Sequence, residues 1–139
     1  MPDSTSSRNL PRIATWTVTI LLAALYAGVT GPAKVMGAEK MVEGFRAWGY
    51  PDAFRIFIGL CEIAGGIGLL IPRLATWAAL GLACVMAGAA YTHLHHGVPN
   101  AWFPGLLLLA LLAIAYLRRG RALFSSRADE PARETPDPV

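Results

Sequence analysis

The fold is decided by residues 53–94, which read AFRIFIGLCEIAGGIGLLI (53–71), PR (72–73) and LATWAALGLACVMAGAAYTHL (74–94). Each of the two apolar runs has the length, about 20 residues, that an α-helix needs to cross the hydrocarbon core of a bilayer. Neither run alternates between polar and apolar residues, as a barrel strand would. Because Pro72 and Arg73 leave almost no loop, the runs predict a tight antiparallel pair of transmembrane helices.

Two further apolar runs, 13–30 and 101–117, flank this hairpin, and neither contains a charged residue. Together the four runs predict an all-α, polytopic membrane protein with four transmembrane helices in a bundle. A cleaved signal peptide is the alternative for the first run, since basic residues precede it. Leu25 and Ala27 make a poor small-x-small cleavage site, which favours a retained helix.

The composition of the 139 residues supports the same class of protein. Hydrophobic residues make up 55% of the chain and charged residues 15%, and the mean hydropathy is +0.47. An ordinary soluble domain has about 25% charged residues. A soluble globule, a disordered chain and a disulfide scaffold are therefore excluded.

The polar residues divide the chain into three parts. Residues 1–12 are predicted to form a polar cytoplasmic tail, residues 13–118 the four-helix transmembrane domain, and residues 119–139 a disordered cytoplasmic tail rich in Pro, Arg and acidic residues. The connection 31–52 is the long one. Within it, Met41, Phe45 and Trp48 recur at helical spacing, which predicts a short amphipathic helix over residues 38–48.

The basic residues predict the orientation in the cell membrane. Of the 12 Lys and Arg residues, those on the side of the termini are Arg8, Arg12, Arg73, Arg118, Arg119, Arg121, Arg127 and Arg133. The opposite side has Lys34, Lys40, Arg46 and Arg55. By the positive-inside rule, both termini of this multi-pass protein are expected in the cytoplasm.

A spaced pattern of residues is shared with a known family. It reads Gly31-x-x-Lys34, Phe45-x-x-Trp48-Gly49-Tyr50-Pro51, Ile58-Gly59-x-x-Glu62-x-x-Gly65-Gly66-x-Gly68-Leu69-Leu70-Ile71-Pro72 and Met86-x-x-Ala89-x-Tyr91-Thr92-His93-Leu94. In this pattern the chain resembles the DoxX-like family of small bacterial integral membrane proteins, over about residues 13–118. The resemblance implies a four-helix membrane bundle. It also implies a link to membrane redox complexes, since related members include a quinone-linked thiosulfate oxidoreductase.

Glu62 is the main candidate for a functional residue. It lies about 13 Å into its helix, at about 1.5 Å per residue, where a carboxylate is costly and needs a partner. Arg55 lies two turns earlier on the same face, and Lys34 follows the first run. With Tyr26 these residues are predicted to form a buried polar site. The site is either a structural clasp between helices or a place for a proton or a polar head group.

Cys61 and Cys84 fall at the same depth on the two hairpin helices. A dithiol relay is one interpretation, but the chain has no Cys-x-x-Cys motif, and two small apolar fillers are the simpler one. His93, His95 and His96 resemble a metal patch without enough further ligands, so no metal site is predicted. Gly65, Gly66 and Gly68 indicate close helix packing rather than a nucleotide loop.

These residues favour a non-catalytic accessory subunit, or one that binds a small lipophile, because no complete catalytic constellation is visible. The alternative is a subunit of a quinone-linked membrane oxidoreductase, and a small transporter is a third interpretation. The sequence requires no cofactor, although it is compatible with quinone. The expected partners are the lipid bilayer, a membrane or redox protein and a second copy of the chain. The Arg residues after the last run indicate lipid contact, not nucleic-acid binding.

Overall fold

The computed structural model describes residues 4–125, with side chains described from residue 10 to residue 119. The elements are α1 (Ser4–Ala23), a π-helical stretch (Ala24–Thr30), α2 (Gly31–Val35), α3 (Glu39–Ala47), α4 (Asp52–Leu70), α5 (Ala75–His95) and α6 (Trp102–Ser125). Every regular element in this part of the chain is helical, which confirms the predicted all-α class. Within the same residues, four helical spans are long and apolar enough to cross a membrane: Leu10–Val35, Asp52–Leu70, Ala75–His95 and Trp102–Arg119.

The first membrane helix, Leu10–Val35, is longer than the predicted run, because the chain stays helical through Gly31 and Pro32. The predicted start of the connection at Gly31 is therefore wrong. Pro32 has no N–H to donate to the preceding turn, and that turn is widened: the Gly31 N–H bonds to the carbonyl of Tyr26, five residues earlier. Proline is well tolerated in the first turn of the α-helix that follows.

Both outer helices also extend beyond their apolar runs. The helix α1 begins at Ser4, inside the predicted tail 1–12, and α6 continues to Ser125, past the predicted boundary at residue 118. Arg119, Arg121, Ala122 and Leu123 follow that boundary and are good helix formers, and the helix continues through Gly120, a poor helix former, between them. The disorder predicted for residues 126–139 lies outside the described residues.

The helices are arranged in a ring. Helix α4 packs against the first membrane helix on one side and against α5 on the other, and α5 packs along α6. Helix α6 meets the first membrane helix through α1, where the Arg118 guanidinium stacks on the Trp16 ring at 4.4 Å and donates to the Leu69 carbonyl at 3.5 Å. The ring is therefore joined at the end near the termini.

Large apolar side chains cover the outside of the ring. Examples that are more than half exposed are Ile13, Leu21, Phe57, Trp77, Leu109 and Leu117. The buried core is smaller and includes Leu22, Leu69, Leu82, Leu111 and Ile114. A soluble protein of this size does not expose so much apolar surface, so this outer surface faces the lipid of a bilayer.

Glycines set the distance between α4 and the first membrane helix. A Cβ at Gly59 would lie 2.8 Å from the Gly31 carbonyl oxygen, and a Cβ at Gly66 would lie 2.8 Å from the Ala27 nitrogen. Both distances are too short for real atoms, so only glycine permits this approach. The close contact at Gly59 brings the end of α2, with Lys34, against the middle of α4.

Helix α3 lies in the long connection between two turns whose glycines, Gly37 and Gly49, have φ of +74° and +78°. Phe45 is buried and Met41 is half-buried, whereas the charged residues of this helix, Glu39, Lys40, Glu43 and Arg46, are exposed. The location of this segment at a membrane surface, and its amphipathic role there, stay a prediction.

The orientation also stays a prediction, and cysteine labelling tests it. In a Cys61→Ala/Cys84→Ala background, a cysteine introduced at Ala38, which is exposed, is expected to react with an impermeant maleimide in intact cells. A cysteine introduced at Ser126 is expected to react only after the cells are permeabilised. This follows from the excess of basic residues beside the termini. Labelling of Ser126→Cys but not Ala38→Cys in intact cells would reverse the assignment.

Candidate functional site

An ion pair between Lys34 and Glu62 lies between α2 and α4. The Lys34 Nζ is 2.8 Å from the Glu62 Oε2, and the two side chains are 13% and 1% exposed. A charge in this position is costly for the bundle unless an opposite charge and hydrogen bonds compensate it. The direct contact supplies both, since the ammonium group donates to the carboxylate.

Arg55 is buried two turns before Glu62 on α4, where it binds α2 rather than Glu62. Its Nη1 donates to the carbonyl of Lys34, and its Nε donates to the Asp52 Oδ1 at 3.5 Å. The Lys34 carbonyl belongs to the last turn of α2, where carbonyls lack a partner within the helix. Arg55 therefore holds the backbone of Lys34, while the side chain of Lys34 reaches Glu62.

A cavity of about 570 Å³ lies beside this pair. Its walls come from the first membrane helix, α3, α4, α5 and α6, and Lys34 and Glu62 form part of them. Most of the wall is apolar or aromatic, with Met41, Phe45 and Trp48 contributed by α3 and the residue that ends it. Such a cavity, large, mostly apolar and with few polar groups, has the general character of a small-molecule binding site.

Three buried polar atoms on the cavity wall have no hydrogen-bond partner among the described residues. They are the Tyr26 hydroxyl, the Thr30 hydroxyl and the His93 Nδ1. Tyr26 is only 1% exposed, so its side chain is almost wholly enclosed. A buried hydroxyl without a partner costs about 1–3 kcal/mol, which is why such atoms are rare. Their concentration on one cavity indicates where a polar group of a ligand would bind.

The structure brings together most of the residues predicted from the sequence. Tyr26, Lys34 and Glu62 line the same cavity, and Arg55 donates a hydrogen bond to the backbone carbonyl of Lys34. The two cysteines differ in their surroundings: Cys84 is exposed and lines the cavity, whereas Cys61 is half-buried and is not among the lining residues. Both are free thiols.

The three histidines lie at the end of α5 near α3. The His93 ring centroid is 5.3 Å from that of Trp48, and the His96 ring lies 6.2 Å from the same indole. Within residues 10–119, no group of three or more His, Cys, Asp or Glu side chains gathers in a way that could hold a metal ion. His93 and His96 instead pack against an aromatic ring at the rim of the cavity.

Sequence reasoning missed Thr30, His93 and the aromatic side chains of α3 as parts of one site. A signal for Thr30 was present, since Tyr26, Thr30 and Lys34 are spaced by four residues and can share a helix face. The sequence has no comparable signal for the contribution of α3, because the local sequence of a helix in a connection does not show against which part of the bundle that helix packs.

Comparison with known proteins gives a family match. A sequence model of the DoxX-like family matches residues 17–115, which is most of the chain. No curated protein and no solved structure matches. The match confirms the resemblance seen in the sequence, and the matched segment contains Tyr26, Lys34, Arg55 and Glu62.

Proposed function

Because the chain belongs to the DoxX-like family of membrane proteins, we propose that it binds a small lipophilic molecule in the cavity beside Lys34 and Glu62. In this proposal the protein is a non-catalytic accessory subunit that lies in the membrane, and it is not an enzyme. The observation that carries the proposal is the cavity itself, with a buried ion pair and the unpartnered Tyr26 hydroxyl on a mostly apolar wall formed by the described residues.

The size and lining of the cavity support this ligand class. Ligand sites in proteins have volumes of about 300–1,000 Å³ and are mostly apolar, with a few polar groups that fix orientation. The cavity, at about 570 Å³, lies within this range. A molecule that fills it would cover the aromatic side chains of α3 and α4 and place one end near Lys34 and Tyr26.

The arrangement of the helices supports entry from the bilayer. Helix α6 contacts the first membrane helix through α1, at the end near the termini, and not through the π-helical stretch or α2. In that other half, Thr30 on one helix and Phe103 and Leu107 on the other line the cavity. A lipophile dissolved in the membrane can approach between these helices without crossing water.

The alternative, a subunit of a quinone-linked membrane oxidoreductase, would use the same cavity, since a quinone is itself a lipophile. It would need a partner protein that takes or supplies the electrons. A partner or a second copy of the chain stays a prediction, which co-purification in mild detergent with mass spectrometry of bound protein and lipid would test.

Filling the cavity tests the proposed function. Gly88 and Gly81 both lie on α5, and a Cβ added at either position would have no atom of the described residues within 4 Å apart from the backbone of its own helix turn, so both sites have room for a side chain. Only Gly88 lines the cavity. Gly88→Phe is expected to reduce the saturable photolabelling by an aliphatic diazirine probe at least severalfold, because the ring occupies ligand space. Labelled peptides are identified by mass spectrometry in native membranes.

The matched control is Gly81→Phe, which adds the same side chain to the same helix outside the cavity and is expected to leave saturable labelling unchanged. The labelling that excess unlabelled lipophile abolishes is the saturable part, and the labelling that remains, that of the lipid-facing surface, is subtracted. Equal labelling of both variants and the natural chain, or labelling that excess lipophile never reduces, would refute the proposed function.

A further inference from the structure

The first membrane helix lines the cavity with three polar side chains, Tyr26, Thr30 and Lys34. The hydroxyls of Tyr26 and Thr30 are buried and have no partner among the described residues. The Lys34 ammonium can only donate, and it donates one of its hydrogen bonds to Glu62. This wall therefore offers several donors to whatever occupies the cavity, at four-residue spacing along one helix.

The two charged side chains that line the cavity, Lys34 and Glu62, compensate each other at 2.8 Å. Outside the lining, the Asp52 carboxylate accepts from Arg55 at 3.5 Å and from the exposed Arg46 at 3.2 Å. An anionic head group would place a second negative charge beside Lys34, and a cationic one would place a second positive charge beside Glu62. Either addition leaves one buried charge uncompensated, which is costly. The wall consequently favours a polar group that is uncharged.

We propose that the ligand is a neutral lipophile with a carbonyl group, a ketone, aldehyde or ester, whose oxygen accepts hydrogen bonds from Tyr26 and Thr30. This inference rests on the proposed function and names its ligand class. The carbonyl oxygen has two lone pairs and no proton, so it satisfies both hydroxyls and adds no buried donor. The hydrocarbon part lies against the apolar and aromatic wall, which includes Phe54, Ile58 and Leu107.

The experiment compares two probes of equal size. A ten-carbon methyl ketone and an eleven-carbon alkane have the same number of non-hydrogen atoms and differ in the carbonyl. Binding of each is measured by equilibrium dialysis to the full chain in lipid nanodiscs, with empty nanodiscs giving the bilayer partition. After that correction, the ketone is expected to bind about five- to a hundredfold tighter, the increment of two net hydrogen bonds.

Two variants assign the preference to the hydroxyls. In Tyr26→Phe and in Thr30→Val, which keep the shape of the side chain, the ketone preference is expected to fall towards one while alkane binding stays. Tyr116→Phe is the matched control, because Tyr116 is exposed on α6 and is not among the residues that line the cavity. Tyr116→Phe is expected to keep the preference.

The outcomes separate this inference from the proposed function. If both probes bind saturably and equally, or if Tyr26→Phe and Thr30→Val both keep the ketone preference, the carbonyl assignment is overturned and the cavity remains a lipophile site. If neither probe binds saturably to the natural chain, the proposed function fails with it. Thermal unfolding of each variant shows whether it folds, and the two hydroxyl variants provide independent readings.

Discussion

Replacement of Glu62 with Leu is expected to lower the free energy of unfolding by about 3–5 kcal/mol, because it leaves the buried ammonium of Lys34 without its carboxylate. Glu62 is 1% exposed and Lys34 13%, so water cannot replace the lost partner easily. Glu62→Gln is expected to cost less, since the amide oxygen can still accept from Lys34. The loss is measured on the protein in mild-detergent micelles, by following the helical circular dichroism signal while a denaturing detergent is added.

Two further variants show that the effect belongs to the pair. Combining Glu62→Leu with Lys34→Met removes both charges and is expected to recover much of the stability. Glu43→Leu is the control, because Glu43 is an exposed carboxylate on α3, and its replacement is expected to change stability by less than about 0.5 kcal/mol. A Glu62→Leu variant as stable as the natural chain would contradict a structural ion pair.

Glu62→Gln also separates the two roles predicted for this site. If Glu62 is only a clasp, the Gln variant is expected to fold and to bind lipophile as the natural chain does. If the carboxylate handles a proton or contacts the ligand directly, the Gln variant is expected to fold normally and to lose that activity. The two readouts, stability and lipophile binding, are measured on the same preparation.

Addition of a single methyl group at Gly66 is expected to destabilise the bundle by about 1–3 kcal/mol, the usual cost of overpacking. The Cβ of Gly66→Ala would lie 2.8 Å from the Ala27 nitrogen and 3.0 Å from the Ala23 carbonyl oxygen. Both are backbone atoms of the first membrane helix and cannot rotate away. The helices would have to separate, and the same denaturing titration measures the loss.

The matched control is the same substitution where there is room. Beyond the backbone of their own helix turn, Gly81→Ala and Gly88→Ala meet no atom of the described residues within 4 Å, so they are expected to be neutral or to stabilise α5 slightly, since Ala is the better helix former. If Gly66→Ala is as stable as these two variants, the close approach of α4 to the first membrane helix is contradicted.

The same close approach supports the candidate site through Gly59. A Cβ there would lie 2.8 Å from the Gly31 carbonyl oxygen and 2.9 Å from the Lys34 Cβ, so Gly59→Ala would push α2 away from α4. The glycine contact is thus a condition for the ion pair. Packing and electrostatics are therefore coupled at this point of the bundle.

Much of the fold could be predicted from the sequence, because the length and hydropathy of a run are local properties. The hairpin of α4 and α5 follows from two apolar runs separated by Pro72 and Arg73. The cost of a carboxylate in lipid made Glu62 a candidate for burial, and the small residues around it indicated a close helix contact. None of these inferences needs knowledge of which helices are neighbours.

The sequence by itself therefore determined the number and class of the membrane helices and the need of Glu62 for a partner. Only the tertiary structure decided that the partner is Lys34, while Arg55 binds the carbonyl of Lys34, and that a cavity lies beside them. The physical reason is that a pairing depends on the rotation and depth of one helix against another. The π-helical turn before Pro32 changes which side chains of the first membrane helix face α4, and no local pattern states by how much.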